Sequence, residues 1–390
     1  MLAAAPIMRT AADPAGYRAW CLRGGTVLVA GAWIEADVHI ADGRVAAVAE
    51  PGPGSGVDAR GLLVLPGLID LHGDACERAL HPRPGVAMPL PLALAETDTW
   101  LLAAGITTFF ASVSDAPEPG LRSRAVLAAW IDALRSSSGL RSAWRLHVRH
   151  ERCQIEGHDQ LLAWLEGGAV HLLSLADHLP DPSDPRLAER YRRALGRRLE
   201  ADAETVDRLI GAALAGRDEG RRQCAELAAL AGRSGVPLAS HDDATPQQAL
   251  ASAAAGCRVC EFPADPDTAA AARAAGMRVL MGAPNLVRGG SHVGLMGAEM
   301  AVRLGLCDAL ASDYHFPSLL QAPFVLAQRG VLPLAAAWDL VSAGPAEAAG
   351  LDDRGRIAPG LRADLLAIDP DATDRPRMVV VEGRIVASFS

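Results

Sequence analysis

The sequence predicts an α/β fold, a (β/α)8 TIM barrel with a small β-sandwich domain formed by both chain ends. Three observations lead there. In the middle of the chain, short apolar runs alternate with Ala/Leu/Arg-rich helical stretches, the pattern of βα units in a parallel sheet. The two ends are strand-rich and differ in style from that middle. The length of 390 residues exceeds one small core and suits a large barrel with a companion.

The elements follow in order. Residues 1–20, beginning MLAAAPIMRTAADP, lack a basic leader and a full apolar stretch, and are read as an N-terminal tail. GGTVLVAG, ADVHIADG and RVAAVAE break at Gly, Asp and Pro like short strands, and ADLLAIDPD with RMVVVEGRIVAS repeats the style at the other end. Residues 21–66 and 345–390 are therefore assigned to the sandwich and 67–344 to the barrel. Barrel strands are expected near 63–72, 105–113, 143–150, 170–176, 236–240, 257–262, 277–281 and 309–313. The stretch 186–233 is helical and too long for one connection, so it is expected as an insertion near the barrel mouth.

Composition narrows the function. Half the residues are apolar but only 4% are aromatic, so the core must be built from Ala, Leu and Val. No run of 18 apolar residues occurs, so no membrane span is expected. A net charge of −9 disfavours nucleic acid as a partner. Seven scattered cysteines point to reduced thiols and a cytoplasmic location. Cys257 and Cys260 form a C-x-x-C with no second pair to complete a zinc site, and read as small residues flanking a buried strand. The chain contains no lysine; every basic side chain is Arg or His.

The polar residues cluster at strand ends. Strand one ends in His72 and Asp74, strand three in Glu151, strand four in His178, strand five in His241 and the last strand in Asp313. In this fold those ends form the active-site face. His72 and Asp74 are two apart on a strand and so point to one side. A lone strand-end His is usually a hydrogen-bonded rim residue, and a lone Asp there usually caps a helix. Six such residues at one rim instead fit a divalent transition metal, with zinc, manganese and iron all compatible. Without lysine, a carboxylated lysine cannot bridge two ions, and Glu151 is the candidate bridge. The expected site is binuclear: His72, Asp74, Glu151, His178, His241 and Asp313. Glu261, at the end of VCEFP, is the alternative to His178. Asp313 is expected to serve as ligand and as general base toward an attacking water, with Glu151 as its catalytic companion.

The frame GLLVLPGLIDLHGD, AAGITTFF, a late Ser-Asp and GRIAPGLRADLLAID resembles the amidohydrolase superfamily over residues 22–390. HPRPGV, RLHVRHE, SLADH, ASHDDAT, EFP, LMGAPNLVRGGSH and ASDYHFPSLL are similar to one branch of it. That branch is the α-D-ribose 1-methylphosphonate 5-triphosphate diphosphatases of the carbon–phosphorus lyase pathway. The resemblance implies hydrolysis of a ribosyl 5-triphosphate to the 5-phosphate and pyrophosphate in phosphonate metabolism. The expected partner is a small phosphorylated sugar, with no membrane and with homo-oligomerisation left open. Triphosphate chemistry asks for positive charge and backbone donors. Arg83 follows the metal motif in a Pro-Arg-Pro-Gly loop. Arg149 lies two residues before Glu151. Asn285 is placed to orient a substrate oxygen, and Arg288, Gly289, Gly290, Ser291 and His292 form a Gly-rich turn after a strand.

The chain departs from the branch at Gly73, where Thr is usual, at Leu179-Pro180-Asp181-Pro182, and at Val293-Gly294-Leu295. These lie where a ligand's distal groups would sit, not among the expected metal ligands. Two other readings remain: a cyclic-amide or N-acyl hydrolase using the same metals, discriminated by the arginines at the mouth, and a non-catalytic barrel scaffold, which the presence of His72 and Asp313 argues against.

Overall fold

The computed structural model describes residues 19–83, 85–180, 183–290 and 294–389. The first 18 residues of the expected tail lie outside them, as do Pro84, Asp181, Pro182, Ser291, His292 and Val293. Two sheets divide the strands. The first takes β1 (Trp20–Val29), β2 (Ala32–Ala41), β3 (Arg44–Ala49), β4 (Val57–Asp58) and β5 (Leu63–Pro66) from one end of the chain. From the other end it takes β14 (Leu365–Ile368), β15 (Met378–Val381) and β16 (Arg384–Ser388). Its order is β16-β15-β14-β5-β1-β2-β3, with β4 on β1. The sheet is mixed, because β1 runs parallel to β4 and β5 while its other pairs are antiparallel.

The second sheet is an all-parallel barrel in strict chain order: β6 (Leu68–Gly73), β7 (Ile106–Asp115), β8 (Ala143–Glu151), β9 (Leu172–Ala176), β10 (Leu238–His241), β11 (Val259–Glu261), β12 (Arg278–Gly282) and β13 (Ala309–Ala311). β6, β7, β9 and β13 are buried on both faces, as strands of a covered parallel sheet are, whereas β8 leaves Arg145 and Arg149 half-buried. Connecting helices begin where the sequence supplies a cap and a proline. Thr245 and Asp265 accept from the N–H groups of Gln248 and Thr268, and Pro246 and Pro266 open the helices. Leu and Ala dominate the core, with Phe109, Phe110 and Trp338 as its largest fully buried side chains.

One expected strand, 63–72, is two. Leu63–Pro66 belongs to the terminal sheet and Leu68–Gly73 to the barrel. Gly67 is the joint, and a Cβ there would stand 2.3 Å from Thr107 Oγ1. The uninterrupted apolar pattern hides this break. The long helical segment resolves into Pro185–Leu199, Ala203–Ala215 and Arg217–Arg233. The third packs on β10, and the first two are joined to the barrel rim by a small separate apolar cluster of Cys153, Leu179 and Ala213 with Tyr191, Ile210 and Leu214.

The barrel closes between β6 and β13. The Asp313 N–H donates to His72 O at 2.8 Å and the Asp74 N–H to Asp313 O at 3.0 Å. Beneath them the buried Asp70 carboxylate accepts from Ser312 N–H at 3.0 Å and from its hydroxyl at 2.5 Å.

Two predictions follow from this packing. Gly67→Ala overpacks the joint against Thr107 and is expected to lower stability by about 1–3 kcal/mol, read as a shift of the urea midpoint; an unshifted midpoint would mean the joint is loose. His171 accepts the Leu146 N–H at 3.1 Å, and burial, with Arg145 nearby, pushes it down to about 4. Its folded value lies below the unfolded one of about 6.5. Its contribution is therefore complete above that pH and lost as pH falls toward about 4. His171→Gln should flatten the pH dependence of unfolding across that window, and parallel curves for the two proteins would remove His171 as a contributor.

Candidate metal centre

At the C-terminal ends of the barrel strands, three groups of side chains present potential ligand atoms within 4.8 Å of one another: His72, Asp74 and Asp313; His178, His241 and Asp242; and His72, His147 and Glu261. The first two share the mouth, and the rings of His72 and His241 stack between them at 5.2 Å and 11°. The third lies deeper, with all three residues buried.

Glu261 organises the centre. It ends β11 and is fully buried. Its Oε2 accepts from Ser174 Oγ at 2.8 Å and lies 3.0 Å from His241 Nδ1, while Oε1 lies 3.2 Å from His72 Nδ1 and 3.6 Å from His147 Nε2. Burial works to raise its pKa, but His147, His72 and His241 outweigh burial and hold the carboxyl well below the usual range. One carboxylate thus faces the Nδ1 of both His72 and His241. That is the arrangement by which an outer carboxylate fixes the tautomer of metal-binding imidazoles and frees Nε2 for the ion. His147 is held by Ser112 Oγ at 2.7 Å on Nδ1 and Ser174 Oγ at 2.5 Å on Nε2, and burial pushes it down to about 3.

Three residues just beyond barrel strand ends have left-handed backbone: Asp242 (φ 56°), Phe262 (φ 56°) and Asp313 (φ 53°). Such geometry costs a non-glycine residue about 1–3 kcal/mol and persists where the surroundings impose it. Here each N–H continues the ladder, to Glu261 O, Leu280 O and His72 O respectively. The side chains of Asp242 and Asp313 are thereby turned into the mouth, and the Phe262 ring packs edge-on against His72 and His241. Gly73 has a different cause. A Cβ there would meet Phe109 Cε2 at 2.5 Å and Asp70 Oδ2 at 2.8 Å, so the surroundings leave room only for glycine.

The sequence-derived residues fall as follows. His72, Asp74 and Asp313 come together. His178 and His241 come together with Asp242, which the strand-end reading missed. Glu151 joins no three-residue group; its carboxylate binds the His178 ring Nδ1, and its Oε2 accepts the His178 N–H at 3.3 Å. Glu261, weighed as a replacement for His178, lies on the opposite ring nitrogens of His72 and His241. Arg149 reaches into the first group, with Nη1 3.4 Å from His72 Nε2 and Nη2 3.5 Å from Asp74 Oδ2. Arg288 donates to Tyr314 Oη at 3.2 Å, beside Asp313. Asn285 has its Oδ1 buried without a hydrogen-bond partner. The N–H groups of Gly289 and Gly290 donate to Leu286 O and Asn285 O, closing their own helix, and so are engaged there rather than presented to a ligand. Arg83 is exposed in a turn with Val86. Ser291 and His292 lie outside the described residues.

Two sequence signals were available for what was missed. His147 shares a strand face with Arg149 and Glu151 by period two. Ser174 is a polar residue inside an apolar strand. Nothing in the sequence signals the turned backbone at Asp242.

These residues fit divalent metal ions: each mouth group offers imidazole and carboxylate donors within 4.8 Å of one another, and Glu261 on the Nδ1 atoms leaves the Nε2 atoms of His72 and His241 as the free donors. Both mouth groups also draw positive charge: Arg149 to the first, and to the second a His178 whose burial is outweighed by Glu151 and Asp242, raising it to about 10. In the same exchange Glu151 falls to about 2, the histidine overcoming burial. Burial pushes Asp313 up, with Asp74 adding to it.

A family model described as "Amidohydrolase family" matches residues 311–387. The chain is 36% identical over 345 residues to the alpha-D-ribose 1-methylphosphonate 5-triphosphate diphosphatase of Escherichia coli, covering 85% of this chain and 90% of that one. A short stretch of 53 residues is 49% identical to an allantoinase of Solibacter usitatus, 13% of this chain and 12% of the other. Among solved structures, the dihydropyrimidinase of Brevibacillus agri superposes with a TM-score of 0.64 at 14% identity, covering 95% of each chain. A triazine hydrolase variant superposes with a TM-score of 0.61 at 18% identity, again covering 95% of each.

Glu261→Gln keeps shape but removes the charge that faces both imidazoles. Metal retained after dialysis should fall, with affinity lower by about 10–100-fold. Wild-type retention would show that Glu261 does not support the ligands.

Proposed function

This chain belongs to the amidohydrolase superfamily, and we propose that it hydrolyses the α–β phosphoanhydride of a ribosyl 5-triphosphate, α-D-ribose 1-methylphosphonate 5-triphosphate, releasing pyrophosphate. The observation that carries the reading is Arg149. A guanidinium reaching the same His72 and Asp74 that form the first ligand group suits a phosphoryl oxygen better than a neutral amide. The diphosphatase to which the chain is similar over most of its length acts on such a substrate by name, which supports the same choice.

In this reading two divalent ions, zinc, manganese or iron, would be held by His72, Asp74 and Asp313 and by His178, His241 and Asp242. Such ions supply Lewis acidity and acidify water. Asp313, its proton affinity raised by burial, accepts the proton of the attacking water. The water oxygen bonds to the phosphorus nearest the ribose, the bond to the bridging oxygen breaks, and pyrophosphate leaves with that electron pair. Arg149 neutralises charge developing on the phosphoryl oxygens. Arg288 and Asn285, on the Asp313 side of the mouth, meet the departing pyrophosphate. Glu151 holds the His178 ring and is assigned to orientation.

The test is a pyrophosphate-release assay of metal-loaded protein on ribosyl 5-triphosphates, run beside cyclic amides. Turnover is expected only with the triphosphates, lost on chelation, and reduced about 10²–10⁴-fold in kcat by Asp313→Asn. Turnover of the cyclic amide alone would overturn the substrate, and an unimpaired Asp313→Asn would overturn the base.

A further inference from the structure

A cleft of about 550 Å³ opens beside the metal centre, with Glu151 and His178 on its inner wall. Its outer wall is the pair of helices Pro185–Leu199 and Ala203–Ala215, inserted between β9 and β10. The lining is two-sided. Leu179, Tyr191, Leu195 and Ile210 form an apolar floor continuous with the cluster that docks the helices. Arg122, Arg190 and Arg198 stand among this lining.

The three arginines outnumber the carboxylates that pair with them directly among the described residues. Arg122 comes from the segment after β7 and Arg198 from the outer helix, and a single buried carboxylate, Glu118, meets both, at 3.8 Å and 2.7 Å. Arg190 has no partner among the described residues. Arg149 and Arg198 act on Arg122 as like charges, while Glu118 and Glu77 act on it as opposite charges. Of the remaining acids, Glu151 is taken by His178, and Asp177 also borders a neighbouring cavity with His241 and Asp242. Guanidiniums gathered from separate elements about one carboxylate are suited to binding a dianionic group bidentately.

We propose that this cleft is the subsite for the non-reacting end of the substrate, a sugar carrying a phosphonate, with Arg122 and Arg198 as the phosphonate ligands. The assignment of that end rests on the ribosyl triphosphate reading given above. A pyrophosphate is charged along its whole length and gains nothing from Leu, Ile and Tyr side chains. A ribose bearing a methylphosphonate presents C–H faces to an apolar floor and one compact anion to the arginines. Arg288 and Asn285, beside Asp313, are then left for the pyrophosphate on the other side of the metals.

The test uses the metal-loaded full chain and the variants Arg122→Gln and Arg198→Gln, both about one-third exposed in the parent and checked by their thermal midpoints. For ribose 1-methylphosphonate 5-triphosphate each variant should raise KM about 10-fold, the loss of one charge-assisted hydrogen bond, with kcat little changed. For ribose 5-triphosphate, which lacks the phosphonate, KM should stay near wild type. An equal rise on both substrates would place the polyphosphate in the cleft and overturn the assignment, as would no rise on either. Calorimetric titration with ribose 1-methylphosphonate alone reads the same subsite without turnover, and about 10-fold weaker binding to the variants is expected. If wild type releases no pyrophosphate yet binds this probe through Arg122 and Arg198, the reaction is wrong and the subsite stands. If turnover occurs and binding is unchanged by the variants, the subsite is wrong and the reaction stands.

Discussion

The exchange of hydrogen bonds between Asp313 and the pair His72 and Asp74 carries the structure and the site together. It joins residues some 240 positions apart in the chain and closes β13 onto β6. The same bonds bring the carboxylates of Asp74 and Asp313 to one side of His72. Asp70 secures the joint from below by filling both donors of Ser312, and burial raises its own pKa. Barrel closure and assembly of the first ligand group are therefore one event. A chain that failed to close would present His72 and Asp74 without Asp313.

Charge is balanced around that joint with little slack. A fully buried carboxylate such as Glu261 is tolerable only when opposite charge and donors surround it. Here Ser174 and the rings of His72, His147 and His241 do so, contributed by β6, β8, β9 and β10. The left-handed residues Asp242, Phe262 and Asp313 mark where the ends of β10, β11 and β13 are bent to serve the mouth instead of the sheet. Among the described residues flanking barrel strands, such strain falls at the C-terminal ends and not at the N-terminal ends, which accords with a site held in place by the rest of the barrel.

Legibility in the sequence followed periodicity. Most barrel strands are visible because both faces are buried and the run is apolar, β8 with its Arg and His residues being the exception, and His72, Asp74, His178, His241 and Asp313 are visible because they fall at the same end of those strands. The break at Gly67 was hidden, since apolar residues continue across it and only a contact with Thr107 separates the two strands. Asp242 was hidden because strand alternation turns it away from His241, and only its backbone conformation reverses that. The role of Glu151 depended on a neighbour: His178 claims its carboxylate. Gly289 and Gly290 donate to Leu286 O and Asn285 O, and a helix cap of this kind shares its sequence signature with an anion-binding turn.

The division of labour between strands and added helices bears on selectivity. Solved structures at 14% and 18% identity share this fold, and their names give them different substrates. Fold likeness therefore leaves the substrate open. Strand ends are rigid and set the reactive geometry. The helices Pro185–Leu199 and Ala203–Ala215 are not part of the barrel and touch the rim through a small cluster of their own. Charge introduced there alters what is bound without disturbing Asp70, Ser312 or Glu261. Arg198 meeting Arg122 across Glu118 is such a case: one arginine belongs to the barrel rim and the other to the added wall.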